Sequence, residues 1–337
     1  MAGFRESFGL VRNLNWYPKH MNTGLKQMQA KLRSVDCVLE IHDARVPLSG
    51  RNPNFSHLLV GDKPHIVVLN KVDLISGESK RKIKEIYEKT VTKNLIFTNC
   101  KNDQDPGIKK IVPMVRDMIE NSNRYHRAGM EEYNAMIIGI PNVGKSSFIN
   151  ITRAKNLKKA TSLKVAPSAG VTKMVHMKVK ISNDPIIFLY DTPGILTPRV
   201  TDPTAALKLA VCGSFPDHDV GLMLIADYIL FTLNRQKNYK YTSLLGLEEP
   251  CDCITTALTK GAIHLNKMQQ QRSMALGSGL HKKPNFEYMS KMFIEKFRKA
   301  EFGKIVLDDL DQFTQFEQCN DDFELKENEV FERSGNN

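Results

Sequence analysis

Eight consecutive residues, Gly139-Ile140-Pro141-Asn142-Val143-Gly144-Lys145-Ser146, fit G-x-x-x-x-G-K-S, a spacing that lets a backbone turn wrap an anion before a helix begins. Successive N–H groups from Asn142 through Val143, Gly144 and Lys145 to Ser147 can surround phosphate oxygens, and the dipole of the following helix favours negative charge. Lys145 can place its ammonium between the two terminal phosphates, where charge develops on cleavage, and the Ser146 hydroxyl can serve a Mg²⁺ ion. Binding and cleaving a polyphosphate is the chemistry these residue types support.

A second pattern supplies selectivity. Asn70-Lys71-Val72-Asp73 follows the apolar run 65–69, and the Asp73 carboxylate can accept both N1–H and the 2-amino group of guanine, donors that adenine does not offer. A site built around such groups discriminates by several powers of ten. Asn99, after the run 95–97, falls where a backbone amide can meet the guanine oxygen, although an ordinary strand-to-loop turn explains Thr98-Asn99-Cys100 equally well. Asp191-Thr192-Pro193-Gly194 follows the run 186–190; Asp191 is placed to hold Mg²⁺ through a water, and the Gly194 amide to meet the third phosphate. Between the phosphate loop and this DxxG lies Thr172, the position of a switch threonine on the same ion. The expected ligands are GTP and its product GDP, with Mg²⁺.

The order of the patterns is unusual. The guanine motif comes first, then the phosphate loop, then DxxG, whereas an ordinary GTPase begins with the phosphate loop and has the guanine motif last. The chain reads as one nucleotide-binding sheet cut between its third and fourth strands and rejoined elsewhere. The segment after Gly194 is therefore free to run straight into another domain, as both phosphate sensor and hinge.

One residue is missing from the usual set. Ile195 stands where Ras-like enzymes carry a glutamine that orients the attacking water, and isoleucine can neither donate nor accept a hydrogen bond. Hydrolysis must rely on another group, a cation or a partner, and the unaided rate should be low. Asn142 can offer a carbonyl oxygen to a monovalent ion beside the phosphates, or it can simply tolerate the tight turn.

Holding these groups together requires a buried sheet. Apolar runs at 35–41, 65–69, 95–98, 135–140, 176–181 and 186–190 are strand-sized and rich in Ile and Val. Helical spacing is seen at 23–32, where Leu25, Met28 and Leu32 share a face, and at 108–119, with a polar bridge at 120–134. Strands alternating with helices imply a mostly parallel sheet covered on both faces. Beyond residue 198 the patterns at 203–212, 220–234 and 288–300 are helical, 279–284 reads as a loop, and no strand signal appears. The expected fold is α/β: a circularly permuted P-loop GTPase domain at 23–200, followed by an all-α C-terminal domain at 201–310. Residues 1–22 form an N-terminal segment in which Phe4, Phe8 and Val11 with Arg5 and Arg12 resemble a short amphipathic presequence. Residues 311–337 form an acidic tail of the composition expected for disorder.

Charge points to a partner. The 337 residues carry a net +11, but 301–337 hold three Lys/Arg against eleven Asp/Glu, a local −8 that leaves +19 on the first 300 residues. Eight Lys/Arg and no acid lie within 151–180. Such a field attracts polyphosphate backbones through counterion release, so RNA is the natural large partner; a solvated basic face serving the nucleotide is the plainer alternative. No run reaches the roughly 20 apolar residues of a membrane helix. The six scattered cysteines, Cys251 and Cys253 being the only close pair, read as reduced thiols of an intracellular protein.

The permuted order, Gly139-Ile140-Pro141-Asn142-Val143-Gly144-Lys145-Ser146-Ser147, Asp191-Thr192-Pro193-Gly194-Ile195 and Asp43-Ala44-Arg45-Val46-Pro47-Leu48-Ser49 together resemble the circularly permuted ribosome-assembly GTPases of the mitochondrial ribosome-associated type, kin to bacterial ribosome biogenesis GTPase A. The resemblance runs from about Trp16 to Asp309. It implies GTP hydrolysis coupled to late maturation of the mitochondrial large ribosomal subunit, rRNA contact through the C-terminal helices, stimulation by K⁺, and residence in the matrix beside the inner membrane. The family motif Trp-Phe-Pro-Gly-His-Met maps onto Trp16-Tyr17-Pro18-Lys19-His20-Met21, which makes His20 the candidate for positioning water; Lys19 replaces the family glycine. Asp43-Ala44-Arg45 fits either a structural ion pair or an RNA contact. A GTP-gated placeholder or scaffold with negligible catalysis is the alternative function.

Overall fold

The computed structural model describes residues 4–9, 19–52, 55, 60–124, 127–158, 177–195, 202–272 and 280–311. Helix α1 (Lys19–Lys31) leads into β1 (Cys37–Asp43), β2 (His65–Asn70), α2 (Gly77–Thr90), β3 (Leu95–Phe97) and α3 (Pro106–Glu120). The chain continues through β4 (Tyr133–Ile138), α4 (Lys145–Leu157), β5 (Met177–Asn183) and β6 (Ile186–Asp191). These strands make one sheet in the order β3-β2-β1-β4-β6-β5, parallel except where β5 pairs antiparallel with β6.

The sheet is buried on both faces, as its near-continuous Val and Ile runs require. In β2, Ile66 and Val68 enter one apolar cluster with Ile108, Ile111 and Val115 of α3. The alternating Val67 and Leu69 enter another with Ile83 and Tyr87 of α2. Each such side chain removed from water contributes about 1.5–3 kcal/mol, so a polar residue at any of these positions would break the layer. The helices start where short polar side chains replace the missing intrahelical acceptors: Ser76 accepts from the Ser79 amide before α2, and Asp105 from the Ile108 amide before α3.

Within β1 the apolar run is interrupted by Glu40 and His42, both buried. Each oxygen of Glu40 lies 3.0 Å from an imidazole Nε2, one of His42 and one of His65. Burial alone would raise the Glu40 carboxyl, but the two imidazoles beside it, His42 foremost, outweigh it and hold the group well below the usual carboxylate range.

Past the sheet come α5 (Pro203–Val211), α6 (Asp217–Val220), α7 (Leu222–Arg235), α8 (Tyr241–Leu245) and α9 (Ile254–His264), with α10 (Phe286–Arg298) last. An all-α region was expected, and the structure corrects this. Strands β7 (Met268–Arg272) and β8 (Leu280–Pro284) pair antiparallel between α9 and α10, so the stretch read as a loop is a strand. Met-Gln-Gln-Gln-Arg and Leu-His-Lys-Lys-Pro lack apolar alternation, and here cross-strand pairing rather than side-chain pattern makes the ribbon.

The N-terminal segment and the chain after α10 are both tied down. Arg5 forms a two-pronged pair with Asp227 of α7 at 2.8 and 3.0 Å and also reaches Asp252. Phe8 packs edge-on against Tyr228 and Phe231. Residues of the amphipathic N-terminal pattern are thus seated on α7, while Val11 and Arg12 lie outside the described residues. After α10 the chain returns to the sheet: the Ile305 amide donates to Leu74 O, and that of Leu307 to Arg45 O. Asp308 accepts from the amides of Leu48 and Ser49 and pairs with Lys208 of α5 at 3.1 Å.

Candidate functional site

Four loops leave the carboxyl ends of β2, β3, β4 and β6 and meet at one edge of the sheet, the usual binding edge of an open α/β fold. The phosphate loop turns through left-handed backbone at Asn142 (φ 61°) and Gly144 (φ 102°) before α4 starts at Lys145. A Cβ on Gly144 would collide with Asn70 Nδ2, so glycine serves here for space as well as for φ. Asn70 uses that closeness: its amide donates to Val143 O at 2.8 Å, and its carbonyl accepts from the Thr98 hydroxyl and the Cys100 amide. One side chain thereby joins the guanine motif, the phosphate loop and the loop after β3. Val72 and Asp73 open a single 3-10 turn beyond it, half-buried, and Asn99 caps its own turn by accepting from the Lys101 amide.

Lys145 is buried and donates to the carbonyls of Gly139 and Ile140 at 3.1 and 2.9 Å. Burial lowers its pKa to about 8, against the opposing charge of Asp191. Ser146 donates to Asp191 Oδ2 at 3.1 Å, while Asp191 Oδ1 is buried with no hydrogen-bond partner among the described residues. A hydroxyl beside a carboxylate with an unused oxygen is a hard-oxygen set that suits Mg²⁺. Ser147 lies half-buried in the first turn of α4.

The DxxG loop lies directly on the phosphate loop. A Cβ on Gly194 would sit 2.5 Å from the backbone nitrogen of Pro141, and the Ile195 amide donates to Gly139 O at 3.2 Å. Ile195 is only 1% exposed, so its side chain is core and touches no water. Helix α1 covers the same loop: a Cβ on Gly24 would meet Pro193 Cγ at 2.8 Å. The backbone of His20 lies one helical turn before Gly24. The His20 side chain, Trp16, Thr172 and the segment 196–201 lie outside the described residues.

Sequence patterns left one further component open and did not show another. Asp43, at the end of β1, is gripped by Arg45 at 2.7 and 3.0 Å and by Lys71 at 2.9 Å, and Lys71 also donates to Asn142 O. Burial would raise the Asp43 carboxyl, but Arg45 and Lys71 hold it well below its ordinary range. The open question over Asp43-Ala44-Arg45 is thus resolved as a buried ion pair beside the guanine motif. The second component is the loop after α5: Asn142 Nδ2 donates to Gly213 O at 2.6 Å, and the Ser214 hydroxyl to Pro141 O at 3.2 Å. Arg298 of α10 in turn holds the Ala210 and Val211 carbonyls. A direct contact thus runs from the phosphate loop to the C-terminal helices. Only the charged pair of Asp43 and Arg45 had a visible signal, two opposite charges beside an apolar strand.

Guanine motif, phosphate loop and DxxG, gathered at one sheet edge in this chain order, are the mark of a circularly permuted P-loop GTPase. The family pattern described as "50S ribosome-binding GTPase" matches residues 134–260. "Mitochondrial GTPase 1" of Aedes aegypti is 46% identical, over 91% of this chain and 98% of its own, and "Mitochondrial ribosome-associated GTPase 1" of Bos taurus is 41% identical, over 91% and 92%. The chain belongs to this mitochondrial GTPase 1 family; it binds guanine nucleotide and is a GTP hydrolase. "Ribosome biogenesis GTPase A" of Bacillus licheniformis is 30% identical, over 87% of this chain and 96% of its own. The fold is shared with GNP-bound YlqF from T. maritima, at 20% identity and a TM-score of 0.54 over 85% of this chain and 97% of that one.

Proposed function

We propose that the protein is a slow GTPase of the mitochondrial matrix that assists late assembly of the large ribosomal subunit and is switched on by that particle and by K⁺. The names of its relatives support a mitochondrial, ribosome-associated setting. The observation that carries the reading is Ile195, buried against the phosphate loop where a water-orienting glutamine would otherwise stand. A site of this kind lacks the usual glutamine contact to water, so turnover relies on another group, a cation or a partner.

In this reading Asp73 reads guanine, with Asn70, Lys71, Val72 and Asn99 shaping its pocket. Asn142, Val143, Gly144, Lys145, Ser146 and Ser147 hold the phosphates, and Gly194 senses the third. Ser146, Asp191 and Thr172 hold Mg²⁺, which when bound neutralises charge on the phosphate oxygens. Lys145 stabilises the developing charge. His20 positions the water, which the seating of Gly24 against Pro193 supports. Asn142 occupies the left-handed turn and tethers Gly213, and K⁺ supplements Lys145 from beside it.

The working domains are 23–200 for the nucleotide and 201–310 for rRNA, with 311–337 an acidic tail. Peripheral contact with the inner membrane completes the proposal; among the described residues no helix is long and apolar enough to cross a membrane. Steady-state GTP hydrolysis by the purified full chain should be slow, faster in K⁺ than in Na⁺, and much faster with mitochondrial large subunits. Equal rates with and without subunits would overturn it. The buried Ile195 also favours a second reading, a GTP-gated placeholder that leaves GTP intact on the particle.

A further inference from the structure

At the opposite edge of the sheet, a groove of about 1250 Å³ runs across the amino ends of β1, β2 and β3 and along α3. A strand of six or seven residues rises roughly 20 Å, so this groove is separated from the nucleotide site by the full height of the sheet. Its floor is apolar, with Val35, Pro64, Met114 and Met118 among the lining residues. Its walls are basic. Arg33, Lys109 and Lys110 make no ion pair or hydrogen bond among the described residues, and Lys63 donates only to the Val35 carbonyl.

Acids in the groove do not cancel these charges. Asp36 is buried and already shared by Arg124 and Arg127 at 3.3 and 3.0 Å, and Asp117 pairs with Arg116. Of the acids among the described lining residues, only Asp62 is left unpaired. Burial, with a smaller effect of the nearby Arg127 charge, holds the Lys63 ammonium below its ordinary value against Asp36. Arg124 and Arg127 also donate to the Met130 and Glu132 carbonyls.

We infer that this groove is a second nucleic-acid surface, and that it takes a single-stranded segment of RNA. Unpaired cations on two walls suit a phosphate backbone, and an apolar floor between them suits unstacked bases, which a duplex does not present. This rests on the reading that the protein works on a ribosomal particle, and it adds an RNA contact on the GTPase sheet itself, remote from the C-terminal helices.

The test uses the full chain and a fluorescent oligouridylate, titrated over a range of salt concentrations. Lys109→Ala with Lys110→Ala, both exposed on α3, should weaken binding several-fold and reduce the salt slope by about 1.4, while GTP affinity stays unchanged. Arg81→Ala with Lys89→Ala, equally exposed on α2, should leave the slope alone. The inference is overturned if both pairs give equal losses, if the α3 pair changes nothing, or if a glutamate-rich peptide displaces the RNA as well as unlabelled RNA does. Subunit-stimulated hydrolysis separates the two ideas: its presence with no RNA effect at α3 removes the groove alone, and the converse removes the assembly role alone.

Discussion

Lys71 Nζ lies 2.9 Å from Asp43 Oδ2 and 2.6 Å from the carbonyl oxygen of Asn142, so one ammonium ties the end of β1 and the guanine motif to the phosphate loop. The bond to Asp43 fixes where Lys71 stands, because Asp43 is itself clamped by Arg45. Leu307 then bonds the Arg45 carbonyl, and the chain after α10 is joined to the same corner. Besides the covalent link after Gly194, the nucleotide site therefore touches the C-terminal region through Gly213 and Ser214 at the phosphate loop, through Ile305 at Leu74 and through Leu307 at Arg45.

Asp43→Asn should weaken GDP binding roughly tenfold, since a charged hydrogen bond of about 1.5 kcal/mol to Lys71 is lost. It should also lower stability by on the order of 3 kcal/mol, because the Arg45 guanidinium is left buried without its counter-charge. Calorimetric titration and chemical denaturation measure the two effects. Unchanged nucleotide affinity would show that Lys71 needs no such support.

Gly194→Ala places a methyl carbon 2.5 Å from the Pro141 backbone nitrogen, closer than any real contact. The DxxG loop must lift away, so the variant should keep GDP affinity and lose its ability to distinguish GTP from GDP. Competition of the two nucleotides against a fluorescent analogue reads the ratio, and a wild-type ratio would refute the close approach.

His20→Ala should lower the stimulated kcat by about 10²-fold or more with little change in GTP affinity, the pattern of a group that acts on the water and not on the nucleotide. A variant that loses affinity and rate together would assign His20 to folding of α1 instead.

The sheet was readable from its chain because five of the six strands are runs of buried Ile, Val and Leu, and the motifs sit at their ends. Helix α2 was not, since Gly-Glu-Ser-Lys-Arg-Lys-Ile-Lys-Glu-Ile-Tyr-Glu-Lys-Thr offers little apolar surface; Ser76 as cap and the i, i+4 pair Ile83 and Tyr87 were its signal. The ribbon of β7 and β8 carried none. Nor could spacing show that Asn142 reaches Gly213 or that Asp308 reaches Ser49, because contacts between residues 71 and 259 positions apart depend on tertiary packing.

Glu40 makes a pH prediction. Its folded pKa lies below the unfolded value of about 4.3, so its contribution to stability is complete above that pH and is lost as pH falls toward the folded value. Glu40→Gln should therefore flatten the fall in stability below about pH 4, measured by denaturant midpoints across a pH series. An acid limb as steep as that of the wild type would mean that the two histidines do not hold the carboxylate charged.

In the proposed function this site cleaves GTP when the ribosomal particle completes it. Single-turnover cleavage of bound GTP by the full chain in K⁺, with and without mitochondrial large subunits, tests it most directly. Slow cleavage is expected alone, and an acceleration on the order of 10³-fold with subunits, the scale at which a partner completes such a site. GTP that stays intact on the particle would contradict it and leave the placeholder reading in its place.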